Sequence, residues 1–323
     1  MRPLSKTLLG VLATTVAMGA VPAAADWEPN RPVEMVIMAG QGGGADRLAR
    51  LFQSIIQQND LSNMPMLPVN KGGGSGAEAL RYLQENPENP HIVMATLNSL
   101  YTTPLRTDIG VDVAEFTPLA LMAVDTFLLW VHKDTGITTL EEYVAAVNAM
   151  DGAWKMGGTG SGQEDSLVMA LLEEATGTKH TYLPLDGGGD VARALVGGHI
   201  NSSVNNPSEA LSFYEAGMVV PIVAFTDERL EAFPDVPTMK ELGHDVSYFM
   251  DRAFVAPADI PADAQAFYID LLTKLSETQE WQDYAAKQSL FSDLVTGDEL
   301  GDYILRQRDV HERILRNMGE ISG

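Results

Sequence analysis

Four glycine clusters, each placed where an apolar run hands over to an amphipathic one, constrain this chain more than any other feature. Gly42-Gly43-Gly44 follows an apolar run at 33–38 and precedes a helical pattern over 46–58. Gly72-Gly73-Gly74-Ser75-Gly76 follows 66–69 and precedes a helix expected over 77–84. Gly157-Gly158-Thr159-Gly160-Ser161-Gly162 leads into 166–175, and Gly187-Gly188-Gly189 follows 181–185. Glycine reaches backbone angles closed to other residues and lets a ligand approach the main chain. The helix that follows presents unpaired N–H groups and the positive end of its dipole. Such a corner suits an anion, carboxylate as well as phosphate. In open α/β sheets these corners lie at the carboxyl ends of strands, where ligands bind.

The rest of the pattern agrees with α/β. Further strands are expected at 91–95, 127–132, 154–156, 202–204, 221–225 and 253–256, and the section 261–318 reads as mostly helical. Thr138, three residues before Glu141, has the spacing of a capping box. Strands alternating with helices imply largely parallel or mixed sheets. The 323 residues suggest about two domains.

Several function classes are excluded or weakened. The chain has no Cys, which removes disulfides, thiolate metal sites and a Cys nucleophile. Its net charge of -23 argues against nucleic acid and anionic lipid as partners. The six histidines are scattered, without metal-ligand spacing. The 72–77 turn fits G-x-G-x-x-A only by force, and no acidic residue ends a strand about 20 residues later, as a ribose partner requires. Ser75 in G-x-S-x-A is a near miss to a nucleophile elbow, with no His or Asp assignable to it. Glu164-Asp165 reads as a solvated helix start, where negative charge suits the dipole. No metal and no cofactor are expected.

The first residues read as an export signal. Arg2 and Lys6 form a charged start, 8–21 is apolar or small, and Ala23-Ala24-Ala25 offers a cleavage site. The apolar stretch is short for a membrane span of about 20 residues. The mature chain is therefore expected to be exported, with no membrane insertion of its own.

Ordered motifs across the mature chain resemble the substrate-binding proteins of tripartite tricarboxylate transporters, the Bug-type periplasmic receptors. Trp27 to Val33 resembles the family's start, 39–50 its P-G-G-G-x-D-x-x-A-R turn, and 70–76 its N-R-P-G-A-G-G. Leu195 to Ile200 is similar to L-x-G-G-H-V-D, Pro234 to Thr238 to F-P-D-V-P-T, and Arg252 to Pro257 to R-G-x-x-A-P. The resemblance implies an enzymatically inactive, two-lobed Venus-flytrap receptor with type II periplasmic-binding topology. Residues 26–125 plus 224–323 would form lobe 1 and 126–223 lobe 2, with hinge crossings near 124–128 and 222–226. It also implies a small organic acid as ligand, membrane subunits of a transporter as partner, and a monomer.

The site the resemblance implies draws on Gln41, Gly42, Gly43, Gly44, Asp46, Gly73, Gly74, Ser75, Asn98 and Ser99 from one lobe. Thr159, Gly160, Ser161, Asp186, Gly187 and Asn205 come from the other, and Arg252 is the basic residue expected near the cleft as a carboxylate partner. Asp46 serves the site or holds its turn, with the second role favoured. Several positions depart from the family's pattern. Lys71-Gly72 replaces Arg-Pro, Gln163-Glu164-Asp165 stands where small residues and a His are usual, and Asn201 replaces an acid. Asp186, facing the cleft, would repel a carboxylate unless paired. A zwitterionic ligand, a receptor for amino acids and a periplasmic hydrolase all stay open.

Overall fold

A computed structural model describes residues 27–321; the expected export signal lies outside them. In chain order the elements are β1 (Val33–Ile37), α1 (Gly44–Gln58), β2 (Met66–Asn70), α2 (Ala77–Gln84), β3 (Ile92–Ala95), α3 (Ser99–Arg106), β4 (Thr117–Asp125) and β5 (Leu128–His132). Then follow α4 (Leu140–Ala149), β6 (Lys155–Thr159), α5 (Glu164–Thr176), β7 (Thr181–Leu185), α6 (Gly188–Val196), β8 (Ser202–Asn205), α7 (Pro207–Glu215) and β9 (Val219–Ala224). The chain closes with β10 (Met250–Ala256), α8 (Ala262–Ser276), α9 (Gln279–Lys287), β11 (Val295–Thr296) and α10 (Gly297–Asn317).

The strands form two sheets with matching topology. The first runs β11-β4-β10-β3-β1-β2 and the second β7-β6-β8-β5-β9. In the first, β1 pairs in parallel with β2 and β3, while β10 lies antiparallel between β3 and β4. In the second, β6 pairs in parallel with β7 and β8, while β5 lies antiparallel between β8 and β9. Each sheet thus carries one antiparallel inner strand, and in each it is the strand that directly follows a passage between the sheets: β5 after the first and β10 after the return. The chain leaves the first sheet after Asp125 and enters the second at Leu128. On the return, Leu230, Phe233 and Val236 still pack with Leu128 and Trp130 against the second sheet. The two passages touch, because Phe225 N–H donates to the Phe127 carbonyl at 3.0 Å and Tyr248 N–H to the Phe225 carbonyl at 2.9 Å.

The central strands β3 and β10 are buried along their whole length. That matches sheets covered on both faces and explains continuous apolar runs in place of alternation. In the first core, Phe52 of α1 stacks on Phe254 of β10 at 5.3 Å and meets Trp281 of α9 edge-on at 5.2 Å.

Two local expectations shift. The capping box of α4 is formed by Thr139 and Glu142, one residue later than Thr138 and Glu141. Glu142 also accepts from Thr138 N–H at 2.8 Å, so it gathers both preceding amides. Strand β4 and helices α3 and α7 carry no glycine turn at their start, and the sequence reading passed over them. Helix α7 begins with Pro207, whose missing N–H suits a first helical position.

Candidate functional site

The corners at the carboxyl ends of the strands converge on one crevice between the sheets. A methyl group on Gly40 would overlap the Asp186 carbonyl oxygen, so the two main chains are in contact there. A Cβ on Gly189 would stand 2.7 Å from the Gly42 carbonyl oxygen. Inside this contact lies a cavity of about 30 Å³ lined by Gly43, Gly44, Thr159, Glu164, Asp165, Asp186, Gly187, Gly188, Glu209 and Arg252, among others. A wider opening of about 490 Å³ lies at its mouth, lined by Gly40, Gly72, Gly73, Gly74, Ser75, Gly160, Gln163 and Asp186, among others.

The sequence-derived residues divide accordingly. Gly43, Gly44, Thr159, Asp186, Gly187 and Arg252 line the inner cavity, and Gly73, Gly74, Ser75 and Gly160 line the mouth. Gln41 and Gly42 line neither; Gln41 is exposed, and Gly42 N–H donates to Asp46 at 2.9 Å. Asp46 also accepts from Asn70 at 3.0 Å and pairs with Arg50 at 2.9 Å, so it holds the turn. Burial opposes its charge, but Arg50, Gly42 N–H and Asn70 outweigh that and hold its carboxyl below the usual range. Asn98 holds β10: its Oδ1 accepts from Asp251 N–H at 2.9 Å and its amide donates to the Phe249 carbonyl at 2.7 Å. Ser161 contributes its carbonyl, which accepts from Ser75 Oγ at 3.3 Å and from Arg106 at 2.9 Å.

The anion that the glycine corners grip belongs to the chain itself. Glu209 of α7, 5% exposed, places Oε1 2.9 Å from Gly44 N–H at the start of α1. Its other oxygen accepts from Asn205 Nδ2 at 2.9 Å and Asn206 N–H at 3.1 Å. A Cβ on Gly188 would overlap this carboxylate, and one on Gly43 would stand 3.6 Å from Oε1. Glycines from both sheets therefore make the space Glu209 fills. A second carboxylate does the same at α3, where Glu164 Oε1 accepts from Ser99 N–H at 2.6 Å. Both bonds join the N-terminus of a helix beside the first sheet to an acid carried by the second, with the sign the helix dipole favours.

The expectation that Glu164-Asp165 is a solvated helix start is therefore corrected: the two are 1% and 3% exposed. Their corner folds inward because Asp165 accepts from Thr159 N–H at 2.7 Å while Glu164 reaches Ser99. Sequence reasoning also missed Glu209. Its signal was present as Asn206-Pro207-Ser208-Glu209, a capping box with Pro at the first helical position directly after a strand.

Arg252 does lie beside the cavity, 3% exposed, but its guanidinium is already paired with buried Asp125 at the end of β4. Nε donates to Asp125 at 2.9 Å and Nη2 donates to both Asp125 and Asn206 Oδ1. Burial opposes the Arg252 charge, and the adjoining Asp125 carboxylate outweighs it and holds the group protonated.

Four lining carboxyls remain beyond that ion pair: Glu164, Asp165 and Glu209, which are buried, and Asp186, which is exposed. Burial pushes Glu164 up from the ordinary 4.5, and burial with the nearby Glu209 pushes Asp165 well above 3.8. An acid whose folded pKa is raised holds its proton more tightly in the folded chain, so stability is lost as pH rises from the ordinary value up through the folded one. The ligand-free chain is expected to gain stability from these groups as pH falls from 7 toward the ordinary carboxylate range. His311, pushed down by burial, acts in the opposite sense below its ordinary 6.5. Comparing melting temperature against pH for the wild type and Glu164→Gln isolates the carboxyl, and the variant should show the smaller gain. Identical slopes would contradict this assignment.

Comparison with known proteins agrees with this geometry. The sequence pattern of the tripartite tricarboxylate transporter family receptor matches residues 57–293. A Cupriavidus necator relative, the UPF0065 protein in the gbd 5' region, is 30% identical over 253 residues, 77% of this chain and 76% of its own. The solved periplasmic binding protein BugD superposes with a TM-score of 0.85 at 19% identity, over 90% of this chain and 98% of that one. Rpa4515 of R. palustris, solved with adipate, gives 0.84 at 21% identity over 90% and 98%. Two sheets of matching order, the first completed by β10 on the chain's return, are thus the two-lobed periplasmic-binding-protein fold. With the family's pattern spanning most of its length, the chain belongs to the tripartite tricarboxylate transporter receptors.

Proposed function

We propose that this chain is an exported receptor that closes two lobes on a small carboxylate and presents the closed form to a membrane transporter of the tripartite tricarboxylate class. The observation that carries the reading is the convergence of strand-to-helix corners from both sheets on one crevice with a wider opening at its mouth. The adipate bound to Rpa4515 supports the ligand class. The moving bodies are residues 27–125 with 250–321 and residues 128–224, hinged where the two passages touch. The receptor acts in the periplasm, as a monomer, and its export signal is residues 1–25. No helix among the described residues is long and apolar enough to cross a membrane.

A thermal-shift screen of mono-, di- and tricarboxylates, aromatic acids and amino acids tests the reading. A ligand that binds only the folded form adds about 2.7 kcal/mol at about 100 times its dissociation constant. At least one acid is expected to raise the melting temperature by several degrees. A broad panel that leaves it unmoved sinks the receptor reading.

A further inference from the structure

Resting on the receptor reading above, we propose that Arg106, the last residue of α3, is a positioning residue that latches the two lobes together. Glu320 holds its guanidinium ready on the first lobe, and each closure brings that guanidinium onto the Ser161 main chain of the second.

Arg106 Nη1 donates to the Ser161 carbonyl at 2.9 Å, joining α3 to the corner that opens α5. Ser75 Oγ donates to the same oxygen at 3.3 Å, and Thr103 Oγ1, one turn before Arg106, donates to the Ser75 carbonyl at 2.6 Å. One carbonyl of the second lobe is therefore taken by two first-lobe donors that α3 ties together. The charged donor makes the stronger of these two bonds, and a cation suits the carboxyl end of the helix that carries it.

The second lobe leaves room for this guanidinium and for nothing else. Gly162 has a φ of +76°, and a Cβ on it would overlap both Nη1 and Cζ of Arg106. The arginine head thus stands where a side chain at 162 would stand. Gly162 N–H donates to Ser166 Oγ at 2.9 Å, which fixes the corner around it.

On the first lobe the guanidinium is held independently of closure. Arg106 Nη2 donates to Glu320 Oε2 at 2.8 Å. Gly319, with a φ of +71°, turns the chain out of α10, and Glu320 N–H returns to the Leu315 carbonyl at 2.9 Å. Leu315 is fully buried, and His311 of α10 stacks on Tyr101 of α3 at 5.2 Å, so the two helices move as one body. Opening the cleft separates Arg106 from Ser161 but not from Glu320. The side chain stays aimed, and less of its freedom is lost when the lobes meet again. Arg106 Nε is buried without a partner, so the two terminal nitrogens carry the group's described hydrogen bonds. Arg106 and Gly162 line neither the inner cavity nor the opening at its mouth. The latch therefore acts on closure and is indifferent to which ligand is enclosed.

Calorimetry, stopped-flow kinetics and small-angle scattering on the whole mature protein test this, with adipate, succinate, citrate and benzoate as probes. Arg106→Ala is expected to weaken every probe that the wild type binds by a similar factor of about ten-fold. The loss should lie in faster release, with the association rate nearly unchanged, and the liganded variant should contract less than the wild type. Glu320→Ala should weaken the same probes about three-fold and add nothing in the Arg106→Ala background. If Arg106→Ala melts too early to assay, Glu320→Ala carries the test with its smaller loss. A loss at one bound acid and not at another, an unchanged release rate, or affinities within two-fold of the wild type in every folded variant overturns the inference and leaves the receptor reading standing. A wild type that neither binds any of the four probes nor contracts with them overturns both.

Discussion

Gly40→Ala is expected to leave the fold intact and to remove ligand binding by about 100-fold or more. Gly40 does not occupy the left-handed region, so alanine is tolerated within its own sheet. The added methyl instead meets the Asp186 carbonyl oxygen and, at 3.4 Å, the Gly187 nitrogen. Both are main-chain atoms on the opposing sheet and cannot rotate away as a side chain does. The methyl therefore holds the lobes apart while touching nothing in the core. A 100-fold loss corresponds to about 2.7 kcal/mol of binding energy. Calorimetry with an acid selected by the thermal-shift screen measures the loss, and small-angle scattering should show the variant failing to contract on adding that acid. An affinity within three-fold of the wild type would mean that closure does not bring these two main chains together.

Asp125→Ala is expected to have the largest effect on stability. It leaves the Arg252 guanidinium in an interior that is 2–3% exposed, with Asn206 Oδ1 as its remaining described acceptor. Removing one partner of a buried ion pair typically costs about 3–5 kcal/mol. Urea denaturation measures this directly. The double substitution Asp125→Leu with Arg252→Met should recover most of the loss, because packed apolar groups of similar volume do not strand a charge. A single-variant cost below about 1 kcal/mol would show that water reaches the pair.

The sequence made the fold legible where glycine marked a corner. The helices after Gly42–Gly44 and Gly72–Gly76 lie within two residues of expectation, and 181–185 is strand β7 as read. The turn before α2 needs this composition, since Gly74, Ser75 and Gly76 all have positive φ and a Cβ on Gly76 would stand 2.6 Å from Met38 Cε. Corners built by other means stayed hidden. The one opening α3 relies on Asn98 bonding a distant strand, and the one opening α7 on a proline and a capping box. The same asymmetry governed the site. Glycine corners indicated an anion but not its source, because the bond from Gly44 to Glu209 spans 165 residues, and the capping box at Asn206–Glu209 marks a helix start without showing which corner the acid reaches. Glu164-Asp165 looked solvated for a related reason: acids suit an exposed helix start, and only tertiary packing buries this one.

The late return of β10 to the first sheet bears on the order in which the polypeptide folds as it emerges. The amino-terminal sheet is missing β10, which lies between β3 and β4, until residue 256 has emerged. The half made first is thus finished last, and its unpaired edges stay available until the late segment returns to fill the gap.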